Sequence, residues 1–306
     1  MKNSNRIVAF GAVAALSAAL AVPVRAADIN ASSSSTGSTS NDKTFQVERA
    51  NKLVGKEVQD SQNQKAGKID NVIVDLQSGR ILYAVIGSGG VLGAGEKKYA
   101  VPPQIFQTGS PNSLKLTVDK QKLSAAPEFT KDMDKDAELG KGEFVSKVYD
   151  AFGQSTFWNA LNATPSSGEF HNVHKVTDLD GMKIKNVNDE SIGKVENVIL
   201  NLTAGRVAYV ILSPDSSLGL DNNYYALPPD ALTLSTDRKT LTSDINKDKL
   251  AAAPHFTKDN WATISDPAWA AQVYQYYGKQ AWFTGGASGT TLQPTGRTNS
   301  DTSTPK

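Results

Sequence analysis

The feature that most limits how this chain can fold is an internal repeat. Residues 67–86, Gly67-Lys68-Ile69-Asp70-Asn71-Val72-Ile73-Val74-Asp75-Leu76 and Gln77-Ser78-Gly79-Arg80-Ile81-Leu82-Tyr83-Ala84-Val85-Ile86, recur 126 positions later as Gly193 to Leu212. Over the wider window Leu53 to Pro103 against Leu179 to Pro229, 17 of 51 positions are identical without a gap. Unrelated chains of average composition give about 3. The chain therefore carries two copies of one unit, and 306 residues leave room for two cores of ordinary size.

Within the unit the hydrophobic pattern has the period of a strand. Val72, Val74 and Leu76 fall on one face, and Asn71, Ile73 and Asp75 on the other. Gln77-Ser78-Gly79-Arg80 makes a turn in which Gly79 supplies a positive φ. Ile81 to Ile86 is apolar on both faces, as in a strand covered on two sides. Short strands at Lys56 to Val58, Lys97 to Val101 and Leu114 to Val118 complete five or six per copy, with Pro102-Pro103 ending the second of these. Each copy then closes on helical spacing rich in rings: Val148-Tyr149-Asp150-Ala151-Phe152 before Trp158, and Val273-Tyr274-Gln275-Tyr276-Tyr277 before Trp282. In the second, Asp266 is a good N-cap, Pro267 a good first helical residue and Gly278 a stop.

The ends read differently. Lys2 and Arg6 precede an apolar run from Ile7 to Val22, and Val24-Arg25-Ala26 sets small residues around a cut before Ala27. Residues 1–26 are thus expected to be a signal peptide rather than a membrane anchor, which would want about 20 apolar residues. Its removal takes away three of the 32 basic residues, leaving 29 against 31 acidic ones. That near-neutral balance argues against a nucleic-acid partner. With no cysteine, the chain has neither disulfides nor a lipid-modified thiol. A periplasmic or secreted protein with no transmembrane segment after cleavage is expected. The organisation is a signal (1–26), a Ser/Thr-rich disordered leader (27–44), repeat 1 with its helix (45–161), a polar linker (162–177), repeat 2 with its helix (178–284) and a disordered tail (285–306).

Each copy resembles the PRC-barrel family. The resemblance is carried by Leu53-Val54-Gly55-Lys56-Glu57-Val58, Gly67 to Val72, Gly79-Arg80-Ile81, Leu92-Gly93 and Tyr99-Ala100-Val101-Pro102-Pro103, and by their counterparts from Leu179 to Pro229. It implies a mainly β fold, with two small antiparallel barrels each followed by a short aromatic C-terminal helix. It also implies a binding role toward macromolecules or cofactor-bearing complexes, with no shared catalytic site.

The residues themselves offer no catalytic constellation. His171 and His174 are the one closely spaced histidine pair, but on a strand or loop they diverge and lack further ligands, so no metal is expected. Gly87 to Gly95 lacks the Gly-Lys-Ser/Thr ending of a phosphate loop, and no Gly-x-Ser-x-Gly elbow occurs. His255 and the scattered acids Asp70, Asp75, Glu196 and Asp221 read as surface or turn-bonding groups. Candidate interaction residues are Tyr149, Phe152, Trp158, Tyr274, Tyr277, Trp282, Arg80 and Arg206. The rings either pack on their own barrel or anchor a partner, and the two arginines either protect a strand edge or form an ion pair, or else make a docking contact. The expected function is that of a non-enzymatic exported interaction or envelope-associated module without cofactor, acting through a protein partner. The alternative is a module that binds a small ligand or metal between the barrels.

Overall fold

The computed structural model describes residues 45–89, 97–107, 109–110, 112–133, 136–158, 170, 172–220 and 222–283. The expected signal peptide, leader and tail, and most of the expected linker, lie outside the described residues. The first copy contains β1 (Glu48–Arg49), α1 (Ala50–Leu53), β2 (Glu57–Gln59), β3 (Lys65–Asp75), β4 (Arg80–Ser88), β5 (Lys97–Val101), β6 (Phe106–Gln107), β7 (Ser113–Leu116), α2 (Lys120–Ser124), α3 (Asp136–Leu139) and α4 (Gly142–Ala151). The second contains β8 (Val173–Lys175), α5 (Val176–Leu179), β9 (Lys183–Asn186), β10 (Ser191–Asn201), β11 (Arg206–Pro214), β12 (Asn223–Leu227), β13 (Thr233–Leu234), β14 (Thr240–Ser243), α6 (Lys247–Ala251), β15 (His255–Thr257) and α7 (Pro267–Tyr276). Between 173 and 177, the stretch expected as linker is β8 and the start of α5.

The mainly β expectation holds, but two separate closed barrels are not what the strands form. Among the described residues they make one fifteen-stranded sheet whose main path runs β13-β14-β9-β10-β11-β4-β3-β2-β7-β6, open at β13 and β6. The two long hairpins, β3–β4 and β10–β11, lie at its centre and meet where Arg80 faces Arg206. Two pairings, β2 with β7 and β9 with β14, are parallel rather than antiparallel.

The copies are joined more deeply than by that one contact, because each lends its leading strand to the other. β1 pairs with β10 of the second copy, Glu48 facing Leu200 and Arg49 facing Ile199. β8 pairs with β3 of the first, Val74 facing His174 and Asp75 facing Val173.

The hairpins are apolar on both faces because both faces are covered. On one side, Val72, Val74, Leu76 and Ile81 join Val198, Leu200, Leu202 and Val207 in a single core that draws on both copies. On the other, each copy has its own cover. α4 lays Val145, Val148 and Tyr149 on Ile73, Leu82 and Val85, while α7 lays Ala270, Val273 and Tyr274 on Ile199, Ala208 and Ile211. Tyr274 donates to Ala208 O at 2.8 Å, and Tyr83 donates to Leu139 O at 3.0 Å, so these buried hydroxyls are satisfied. Each fully buried Val, Leu or Ile contributes about 1.5–3 kcal/mol, and the shared core makes that contribution depend on both copies at once.

Within its hairpin each long strand shifts register twice, at Ile69/Asn71 and Ile73/Val74 and at the matching Val195/Asn197 and Ile199/Leu200. These bulges bend the strand and raise its twist. The amide oxygens of Asn71 and Asn197 accept the following N–H groups, Val72 at 2.9 Å and Val198 at 3.1 Å. Gly79 and Gly205 take φ +61 and +63 at the hairpin tips, as the turn chemistry requires. Asp75 accepts from Ser78 N–H at 3.1 Å, and its replacement Asn201 accepts from Ala204 N–H at 3.0 Å, so this acid bonds a turn.

Candidate functional site

The site grows out of the place where the two hairpin tips meet. Ile81 N–H donates to Gly205 O and Val207 N–H donates to Gly79 O, each at 3.0 Å. These reciprocal bonds flank Arg80 and Arg206, which makes the arginines a directly opposed, non-hydrogen-bonded pair. Side chains at such a pair emerge on the same face and close together. That face carries α4 and α7.

Each guanidinium lies against a ring of its own copy. Arg80 Cζ is 4.8 Å from the centre of Phe157, and Arg206 Cζ is 5.8 Å from the centre of Trp282. Such contacts contribute about 0.5–2 kcal/mol depending on desolvation. Among the described residues no salt bridge joins either arginine to a carboxylate. Burial, and then the like charge of Arg206, pushes Arg80 down to about 10. Arg206 is also lowered, chiefly by burial. Both remain cationic at neutral pH, held half-buried beside each other. Burial raises the Tyr149 hydroxyl to about 12 and Tyr274 higher still, so neither tyrosine offers a negative charge.

A cavity of about 120 Å³ opens beside Arg206, bounded by Ser78 and Gly79 from the other hairpin and by Tyr274, Trp282 and Lys279. Lys279 Nζ is 2.8 Å from Asp230 Oδ2 at its edge.

Of the eight residues singled out in the sequence, six gather on this face: Arg80 with Tyr149 and Trp158, and Arg206 with Tyr274 and Trp282. Tyr149, Trp158 and Tyr274 are buried and Trp282 is half-buried. Phe152 turns the other way and packs on the shared core, while Tyr277 packs against both the shared core and the α7 cluster. The rings therefore close the sheet, and the arginines are what the face offers to a ligand.

The structure also resets one correspondence. Trp158 does not match Trp282. Phe157 does, because it lies under Arg80 as Trp282 lies under Arg206, while Trp158 stacks near Tyr149 (6.2 Å) as Phe283 does near Tyr274 (5.8 Å). A constant offset of 125 from Tyr149 and Tyr274 gives this register; matching one tryptophan to another hides it. Phe170 and Phe45, which precede β8 and β1, complete the covers by packing 5.5 Å from Trp158 and 4.4 Å from Phe283. Neither carries a sequence signal beyond being an isolated ring.

The other motifs resolve simply. His174 is buried on β8 with Nε2 3.3 Å from Asn172 Oδ1, and His171 lies outside the described residues. Among the described residues no group of three or more His, Asp or Glu could hold a metal. His255 is exposed and lies over Tyr225 at 5.4 Å. No helix among the described residues is long and apolar enough to cross a membrane.

Fold and junction together define an internally duplicated, mainly β module with a cationic seam between its copies. The chain belongs to the PRC-barrel domain family, which matches it twice, over residues 45–120 and 171–250. A comparison with curated proteins finds no match.

Proposed function

We propose that the chain is an exported, non-enzymatic tandem PRC-barrel module that docks a protein partner through the seam between its copies. The observation that carries this reading is the opposed arginine pair, two half-buried cations with no carboxylate bonded to them among the described residues. A like-charged pair directly across a ladder is unfavourable by itself, and an acidic group from outside removes the penalty. Export is supported by the Lys2/Arg6 segment, the apolar run after it and the Val24-Arg25-Ala26 cut site.

In-cell crosslinking of the tagged chain, followed by mass spectrometry, is expected to recover one stoichiometric partner on a chain that begins at Ala27, and to lose it with Arg206→Gln. Recovery of the chain alone, or a partner indifferent to Arg206, counts against docking at the seam.

A second reading, a small-ligand module, draws on a different place. A cavity of about 270 Å³ lies on the shared-core side, lined by Ala50, Val54, Val176, Thr177 and Asn197 among others. Asn71 Nδ2 donates to Thr177 Oγ1 at 2.8 Å, whereas Asn197, its counterpart in the second copy, lines the cavity. Native mass spectrometry of the purified chain would show such a ligand as a stoichiometric adduct, reduced by Asn197→Ala.

A further inference from the structure

We infer that the seam is an oxyanion site: a small dianion of phosphate or dicarboxylate type lies beside Arg206, with Arg80 across the pair and Lys279 at the rim. This rests on reading the seam as the binding face, and it names the chemistry that face recognises.

Four observations converge on it. The first is the charge balance. Arg80, Arg206 and Lys279 stand against two nearby acids, Asp230 and Asp75, and Asp230 is bonded to Lys279 at 2.8 Å. Asp75 does face Arg80 across its hairpin, but its Oδ2 is held by Ser78, and the residue facing Arg206 at the matching place is the neutral Asn201. The uncompensated charge therefore centres on Arg206. The second is room. The cavity beside Arg206, about 120 Å³, is several times the roughly 10–15 Å³ that a single water needs, which leaves room for a tetrahedral oxyanion.

The third is geometry. A guanidinium presents planar paired donors that match the oxygens of phosphate or carboxylate, and such charge-assisted bonds are stronger than neutral ones. Here Phe157 and Trp282 hold the two forks in place. The fourth is surroundings. The rings of Tyr274 and Trp282 wall the cavity, lowering the local dielectric and strengthening attraction to an anion.

The test compares thermal unfolding of the full chain in sodium phosphate and in sodium chloride of equal ionic strength at pH 7, with malonate as the dicarboxylate arm. Phosphate stabilises proteins generally by exclusion from their surface, so the Arg206→Gln chain in the same buffers supplies the baseline. The wild-type chain is expected to gain midpoint with phosphate beyond that baseline, following mass action, with apparent affinity at least about tenfold tighter than that of Arg206→Gln. Arg206→Lys, which keeps the charge and loses the fork, is expected to fall between them. In chloride alone, Arg80→Met is expected to melt no lower than wild type, since it removes the like-charge opposition and keeps an unbranched side chain over Phe157. Equal phosphate shifts in wild type and Arg206→Gln would falsify the site. Should Arg206→Gln fail to fold, broadening of the phosphorus-31 signal of free phosphate by wild type and not by Lys279→Gln reads the same property, and equal broadening by both overturns it.

The partner reading fails separately. If phosphate binds but does not release the crosslinked partner, the oxyanion site stands and docking at the seam falls. If a partner depends on Arg206 but phosphate shows no preference for wild type, docking stands and the oxyanion site falls.

Discussion

Cutting the chain into its two copies is expected to yield no folded monomer from residues 45–161. Freed from the second copy, β3 loses β8 from its edge, β4 loses β11 at Arg80, and β1 has no β10 to join. The shared core also loses half of its members, leaving Val72, Val74, Leu76 and Ile81 open to water. At about 1.5–3 kcal/mol for each such side chain, the loss is comparable to the roughly 5–15 kcal/mol that separates folded from unfolded domains. Two copies of the fragment can repair this by lending β1 to one another's β3, as β8 does in the whole chain. The expected result is an unfolded fragment at low concentration and a dimer at high concentration, read by light scattering and by melting curves that move with concentration. A fragment that is monomeric and melts where the full chain melts would show the exchange of leading strands to be dispensable.

Gly67→Ala and Gly193→Ala are expected to be the most damaging single methyl additions in the hairpins. A Cβ built on Gly67 comes 2.2 Å from Gly87 O, and one on Gly193 comes 2.2 Å from Ser213 O. Both obstacles are backbone of the paired strand, so relief requires β3 to part from β4, or β10 from β11, near Lys68/Gly87 and Lys194/Ser213. Each substitution should cost about 3 kcal/mol, the upper part of the range for overpacking, which is roughly a 10 °C fall in melting midpoint for a body of this size. Gly55→Ala is the control. Its φ is +85 but nothing lies within 4 Å of the added methyl, so only the left-handed backbone penalty of about 1–2 kcal/mol applies. Thermal and urea unfolding measure all three, and a loss at Gly67 no larger than at Gly55 would show slack between the strands.

The hairpins are legible in the sequence because their two signals are local. Alternation places Val72, Val74 and Leu76 on one face, and the apolar run from Ile81 to Ile86 announces a strand with no wet side, as the shared core and the α4 cover explain. Period reports that a face is buried, and says nothing about what buries it. That is why the repeat suggests two barrels where one sheet forms. The partner across β4 at Arg80 is the same hairpin's own copy, and a repeat pairs with itself as plausibly in sequence as with its neighbour.

The leading strands escape the sequence for a different reason. Glu48–Arg49 is two residues long and polar, too short for any periodicity. β8 lies at the end of a polar stretch that reads as linker. Of the candidate site, Arg80 and Arg206 stand out because both follow a turn glycine, yet their adjacency depends wholly on contacts between copies. The aromatic residues stand out as a group, and burial shows their work to be closing the sheet, with Phe157 rather than Trp158 placed under Arg80.

Because both copies sit on one chain, the two sides of the seam are free to differ. Arg80 rests on Phe157 and faces Asp75 across its hairpin, while Arg206 rests on Trp282 and faces Asn201. A pair of identical subunits would present the same residues on both sides and could not tell one end of a ligand from the other. This seam has a polarity: a guest with its charge at one end would meet a more cationic side at Arg206 and settle in one orientation, so a partner docked as proposed would point in a single direction along the sheet.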